Sequence, residues 1–140
     1  MAVKQISVFL PNKKGMLAQV SRYLADNNID LKTLSIADTQ DFGILRLICE
    51  NVDDVEKILK DGGYLTVITD VLVTSIKNVP GALASITEAL SEADVSVEYV
   101  YEFPTVSENI LFVFRVDDNK VAAAALAGAG IKILKEEDLF

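Results

Sequence analysis

Two six-residue turns carry the one arrangement in this chain whose residue types point to a specific chemistry. The first is Asn12-Lys13-Lys14-Gly15-Met16-Leu17; the second, 66 residues later, is Asn78-Val79-Pro80-Gly81-Ala82-Leu83. Each lies between an apolar run and an amphipathic helical pattern. A glycine at the first helical turn exposes unpaired backbone N–H groups at the positive end of the helix dipole. Such donors, with no bulky Cβ beside them, suit a carboxylate or another small anion. Asn12 and Asn78 each add an amide able to donate to a carboxylate and to accept from an ammonium group. An amino acid presents that pair of charges. The same glycines would equally serve a tight strand-to-helix turn with no ligand at all.

Catalysis finds little support among the remaining residues. The chain has no histidine, which removes Ser-His-Asp and Cys-His mechanisms, the commonest metal ligand and the usual proton shuttle. Its one cysteine, Cys49, cannot form an internal disulfide or a CxxC redox pair and reads as a small strand residue. The carboxylate groups Asp53-Asp54, Asp117-Asp118 and Glu136-Glu137-Asp138 fall at helix starts or in the tail, where capping and solvation account for them. Dinucleotide and nucleotide phosphate-binding glycine patterns are absent, and Gly128-Ala129-Gly130 reads as a helix stop. No cofactor and no metal are expected, and no enzyme activity.

The elements that must position the turns follow from periodicity. Val3 to Leu10 reads as a strand broken by Pro11 and Asn12. Leu17, Val20, Tyr23 and Leu24 then line one helical face, ending near Asn27-Asn28. Ile29 to Ala37 alternates as a second strand. Asp38 to Gly43 is turn chemistry, and Ile44 to Ile48 is a nearly continuous apolar strand, as expected in the middle of a sheet. Asn51 to Asp54 starts a helix buried through Val55, Ile58 and Leu59, with Gly62-Gly63 as its stop. Leu65 to Ile68 makes a short last strand. The order is βαββαβ.

A shift of 66 residues repeats this order. Gly15 meets Gly81, Leu17 meets Leu83, Val20 meets Ile86 and Leu24 meets Leu90. Without a gap, Ile44-Leu45 then falls on Ile110-Leu111, Val55 on Val121 and Gly62 on Gly128. The chain therefore reads as an internal duplication with domains at 1–69 and 70–140. Each half is an α+β, ferredoxin-like βαββαβ sandwich: an antiparallel sheet with both helices on one face. A half of this size is marginal alone, so its edges and bare face need cover. The alanine-rich helix Asn119 to Ala127 is expected to be tightly packed rather than solvent-facing. Tyr99, Tyr101 and Phe103 share one face of their strand by alternation.

A duplicated βαββαβ unit opening on Asn-x-Pro-Gly-x-Leu, as in Asn78 to Leu83, resembles the ACT domain, a small regulatory module of amino-acid metabolism. The first copy departs from the pattern in having Lys14 where the second has Pro80. The helix patterns Leu17-x-x-Val20-x-x-x-Leu24 and Leu83-x-x-Ile86-x-x-x-Leu90, followed by Asn28-Ile29-Asp30 and Asp94-Val95-Ser96, also match. The resemblance covers essentially the whole chain and implies a stand-alone tandem ACT protein. It implies sheets that pair side by side, with a free amino acid bound at the interface between ACT domains. One site would use Asn12, Lys13, Gly15, Met16 and Leu17, facing Tyr101 and Glu102. The other would use Asn78, Pro80, Gly81, Ala82 and Leu83, facing Ile36 and Ala37. It also implies a homodimer that senses or regulates amino-acid metabolism. The alternative is a detached regulatory subunit of a biosynthetic enzyme such as acetolactate synthase.

Charge bears on the partners. The net charge is −8, with 8 basic against 9 acidic residues in 1–66 and 5 against 12 in 67–140. An acidic surface repels phosphate backbones and anionic membranes. An RNA-binding module of the same strand order, stacking bases on Phe112 and Phe114, is disfavoured for that reason and because its basic-glycine element is missing. No apolar run approaches the roughly 20 residues that span a bilayer, and the N-terminus lacks a signal-peptide pattern. A soluble, cytoplasmic protein is the expectation, with no nucleic acid and no membrane among its partners.

Overall fold

The computed structural model describes residues 2–11, 13–38 and 42–140. The chain divides into two compact units, Lys4–Thr69 and Asp70–Phe140, the latter joined by the N-terminal residues through Val3.

The first unit contains β1 (Val3–Pro11), α1 (Met16–Asp26), β2 (Thr33–Asp38), β3 (Phe42–Ile48), α2 (Val52–Asp61) and the start of β4 (Leu65–Lys77). Its strands lie in the order β2-β3-β1-β4, with β3 antiparallel to both β1 and β2. The second unit takes the rest of β4 and adds α3 (Ala82–Glu92), β5 (Val97–Phe103), β6 (Asn109–Val116), α4 (Asn119–Gly128), β7 (Lys132–Leu134) and a 3₁₀ turn at Glu136–Asp138. There β4 lies between β6 and β7, with β5 outside β6, and each of these pairs is antiparallel. Both units are thus ferredoxin-like α+β sandwiches. The expected short strand Leu65–Ile68 is instead the beginning of a 13-residue strand. Nothing from Leu65 to Lys77 breaks it: the run is dominated by β-branched residues and holds no glycine or proline.

One face of each sheet meets its two helices. In the first unit Ile6, Val8, Leu45 and Leu47 pack with Val20 and Leu24 of α1 and Val55 and Leu59 of α2. Cys49, 2% exposed, belongs to the same cluster. In the second, Leu72, Phe114 and Val116 pack with Ile86 and Leu90 of α3 and Ala122 and Leu126 of α4. The central placement of β3 follows its apolar run. The alanine-rich α4 departs from expectation: only Ala122 and Leu126 are buried, while Val121, Ala124 and Ala127 are exposed. Alanine's helix propensity, rather than close packing all round, explains that composition.

The register corrects the gapless repeat. Ile6 pairs with Leu47 in the first unit, and Leu72, its counterpart at a shift of 66, pairs with Phe114, a shift of 67. On the other side of the same hairpins Leu34 pairs with Leu47 and Val100 with Phe114. The strand before the hairpin turn therefore keeps the shift of 66, the strand after it takes 67, and the extra residue sits in the β5–β6 turn. From there on the true counterparts are Leu45 and Phe112, Val55 and Ala122, Leu59 and Leu126, Gly62 and Ala129. Burial agrees, since Ala122 is fully buried and Val121 is 43% exposed.

Local capping is mixed. Asn51, expected as a side-chain cap, precedes α2 in the left-handed region (φ 55°, ψ 52°) and makes no side-chain cap bond. Asp118 does cap α4, its carboxylate accepting from the Val121 amide at 3.1 Å. The neighbouring Asp117 accepts from the Ser96 amide at 3.0 Å, and Asp138 from the Lys135 amide at 2.8 Å. These carboxylates are tied to backbone. Replacing Asp118 with alanine is expected to lower unfolding stability by about 1 kcal/mol, measured by urea denaturation.

Candidate functional site: the two strand-to-helix turns

The two turns share one backbone solution. Gly15 has φ 88° and ψ −5°, and Gly81 has φ 90° and ψ −2°. Each closes a four-residue turn: the Met16 amide donates to the Lys13 carbonyl at 3.4 Å and the Ala82 amide to the Val79 carbonyl at 3.1 Å. A tighter turn precedes each, Lys13 donating to Pro11 at 2.8 Å and Val79 to Lys77 at 2.9 Å. A positive φ in the third position of such a turn demands glycine, and Pro80 is pre-set for the second position. An added Cβ at either glycine would meet nothing within 4 Å. The glycines are therefore there for their φ, not for want of room.

That geometry leaves each helix start open. Gly15 and Gly81 occupy the cap position and have no side chain to take up the first N–H groups. The first helix bonds begin further on, with Gln19 donating to Gly15 at 3.0 Å and Ser85 to Gly81 at 2.9 Å. No acidic side chain lies in the first turn of α1 or α3, so the positive pole is not neutralised from within. The residues around it differ between the copies. Lys13 and Lys14 are exposed beside the first; Val79 and Pro80 are exposed beside the second. Leu17, at 48%, and Leu83, at 41%, stand out from their helices.

Of the residues expected at these sites, Asn12 lies outside the described residues. Asn78 is exposed and its amide donates to the Glu108 carbonyl at 3.0 Å. Met16 packs against the first core and Ala82 is buried, so both support the turn rather than present a side chain beside it. In the first unit the turn leaves the sheet where Pro11 faces Phe42, and Gly43 faces Asp38. The end of β2, with Ala37, therefore shares that end of the sheet. Ile36, 46% exposed, pairs with Leu45 and projects on the helix side. In the second unit Tyr101 pairs with Val113 and Glu102 with Phe112, so these neighbours point to opposite faces. Tyr99, Tyr101 and Phe103 do share the face away from the helices, Tyr99 and Tyr101 stacking at 6.4 Å. A bulge between Val97 and Tyr99 sets this phase.

Sequence reasoning passed over one interaction. The Tyr23 hydroxyl donates to the Ile58 carbonyl at 2.6 Å, and its ring lies 5.5 Å from that of Tyr64. A Cβ on Gly62 would come within 2.5 Å of the Tyr23 ring. The signal was present only as a spacing of aromatics around Gly62-Gly63.

No three histidine, cysteine, aspartate or glutamate side chains gather as a metal site among the described residues. No helix there is long and apolar enough to cross a membrane. A family model described as an ACT domain pair matches residues 1–140. Among solved structures, a protein of Bacteroides thetaiotaomicron is similar at 40% identity with a TM-score of 0.91, covering 99% of this chain and 96% of that one. The ligand-free regulatory subunit of aspartate kinase from Thermus thermophilus has the same fold at 18% identity and a TM-score of 0.63, covering 90% and 91%. The corresponding subunit from Thermus flavus gives 19% and 0.60, covering 91% and 92%. A comparison with curated proteins finds no match. The chain belongs to the ACT domain pair family.

Proposed function

We propose that this protein is a non-catalytic regulator that binds a free amino acid, its carboxylate held by the open helix start behind Gly15 or Gly81. The observation that carries the reading is the pair of left-handed glycines, at φ 88° and 90°, each capping a helix whose first N–H groups lack a side-chain partner. Two turns that had diverged in all but this feature would be expected to keep it for a shared purpose. The first turn is the better anion site, because Lys13 and Lys14 add positive charge to the helix dipole. The second is apolar around its glycine and favours a ligand with an apolar portion. Membership of the ACT domain pair family supports the same reading.

A homodimer goes with this proposal. β2 and β5 are edge strands, and Leu34, Ile36 and Val100 are 49%, 46% and 38% exposed on them. Exposed apolar side chains on an unpaired edge invite strand pairing with a second copy. That copy would close the ligand's other side near Ile36 and Ala37, or near Tyr101 and Glu102. The protein would act in the cytoplasm, passing the level of an amino acid to a metabolic enzyme. The same exposed edges would serve a detached regulatory subunit, and an enzyme retained by the tagged protein, with no amino acid bound, would favour that role.

Thermal denaturation with each of the twenty amino acids tests the binding. A ligand at ten times its Kd adds about 1.4 kcal/mol to the folded state, a rise of several degrees in Tm for a domain this small. No shift from any amino acid, with the protein folded throughout, would overturn the proposal.

A further inference from the structure

The two units hold one groove in the same place and treat it oppositely. In the first unit Phe9, Pro11, Met16, Gln19 and the Gly62–Leu65 segment line a space of about 340 Å³. Shifted by 66 up to the hairpin and by 67 after it, these residues become Ser75, Lys77, Ala82, Ser85 and the segment 129–132. All but Ala82 line a larger cleft in the second unit, of about 590 Å³. The difference has a definite cause. Tyr23, which lies over Gly62 in the first unit, is Ala89 in the second; Gly62, which must be glycine to admit that ring, is Ala129. Tyr64 is Ile131, and Phe9 is Ser75. Removing three aromatic rings together with the glycine that accommodates one of them opens the cleft.

Its walls are charged in two separate strips. Glu88 and Glu92 of α3 form one side; Lys77 and Lys132, from β4 and β7, belong to the other, with Ser75, Ser85 and Asn109 between. The first unit has Arg22 and Asp26 in place of the two glutamates, and they pair at 3.7 Å. Two glutamates four residues apart on a helix repel by a few tenths of a kcal/mol. No ion pair joins either glutamate to either lysine among the described residues. The cleft thus carries two unneutralised carboxylates and two unneutralised ammonium groups within a volume ordinary for a small-molecule site.

We infer that this cleft is a second, separate ligand site that takes an extended dipolar metabolite, with a guanidinium or ammonium end toward Glu88 and Glu92 and a carboxylate end toward Lys77 and Lys132. It does not use the Gly81 turn and stands whether or not that turn binds an amino acid. L-arginine and L-lysine carry both ends and are the probes; agmatine carries the cation without the carboxylate. Titration of L-arginine and L-lysine followed by amide NMR is expected to shift Ser85, Ala89, Ile131 and Lys132, with agmatine at least tenfold weaker than arginine. The paired replacement Ala89→Tyr with Ala129→Gly rebuilds the Tyr23–Gly62 contact and should abolish these shifts while leaving any at Leu83 and Ala84. Glu88→Gln with Glu92→Gln, at exposed positions that the fold does not need, should weaken arginine at least tenfold and serves if the filled variant fails to fold. Absence of shifts at the cleft with both probes, equal affinity for agmatine, or unchanged binding in the filled or glutamine variants would each overturn the assignment.

Discussion

Gly62→Ala is expected to destabilise the first unit by about 3 kcal/mol, the upper end of what overpacking by one methyl group costs. The new Cβ would sit 2.5 Å from the Tyr23 ring, and that ring cannot swing away freely. Its hydroxyl is bound to the Ile58 carbonyl at 2.6 Å, one turn before the substituted residue, and Tyr64 flanks it at 5.5 Å. Relief means breaking the hydrogen bond or moving the end of α2. Backbone conformation is not at issue, since Gly62 has φ −80°. The argument makes a stronger demand than a single number. Tyr23→Ala in the same chain should absorb most of the Gly62→Ala penalty, because the second unit already combines Ala89 with Ala129. A double-mutant cycle read by urea denaturation should give a coupling of at least 1 kcal/mol, within the range for touching residues. Additive losses would mean that the ring yields without cost and that the two positions diverged independently.

Gly81→Val is expected to abolish ligand binding at the second turn and to cost about 2 kcal/mol of stability. The stability term is purely conformational. At φ 90° a β-branched residue is strained whatever its surroundings, and the surroundings are empty, with nothing within 4 Å of the added Cβ. The binding term is larger. A loss of at least 100-fold corresponds to about 2.7 kcal/mol, because the isopropyl group would stand where a carboxylate must approach the N–H groups of the α3 start. Gly15→Val should act likewise on the first turn. Calorimetric titration of whichever amino acid raises Tm separates the two: the turn whose substitution removes binding is the one that holds the carboxylate. Binding retained within twofold in both variants would place the ligand elsewhere.

Much of the fold was legible because the signals were local. Helical periodicity from Leu17 to Leu24 gave α1 to within a residue or two, and the repeat supplied its partner α3. The glycine turns were legible because a positive φ can be met at little cost by glycine alone. Counting through the hairpin was not. Gly62 and Gly128 coincide at a shift of 66, which made a gapless repeat persuasive, yet Gly62 corresponds to Ala129 and Gly63 to Gly130. The pairing of glycines was an accident of one inserted residue, visible only once Leu72 was seen opposite Phe114. Asn51 carries a good capping side chain, but no residue type announces φ 55° at a cap. The cleft of the second unit was hidden for the same reason as the register: its opening depends on Ala89 and Ala129 facing each other, and the wrong shift separates them.

The β5–β6 turn has a practical consequence. Between Phe103 and Asn109 the repeat has gained a residue, and both flanking strands kept their pairing with the rest of the sheet. Val106 stands fully exposed at its tip, and the turn is steadied by Ser107, whose hydroxyl donates to the Asn109 carbonyl at 3.3 Å and accepts from the Asn109 amide at 3.1 Å. A loop that has lengthened once without disturbing its strands is a tolerant point for insertion. A cysteine placed at Val106 and labelled with a fluorophore would leave the buried Cys49 untouched and would give this family a reporter at the end of the sheet from which the Gly81 turn departs.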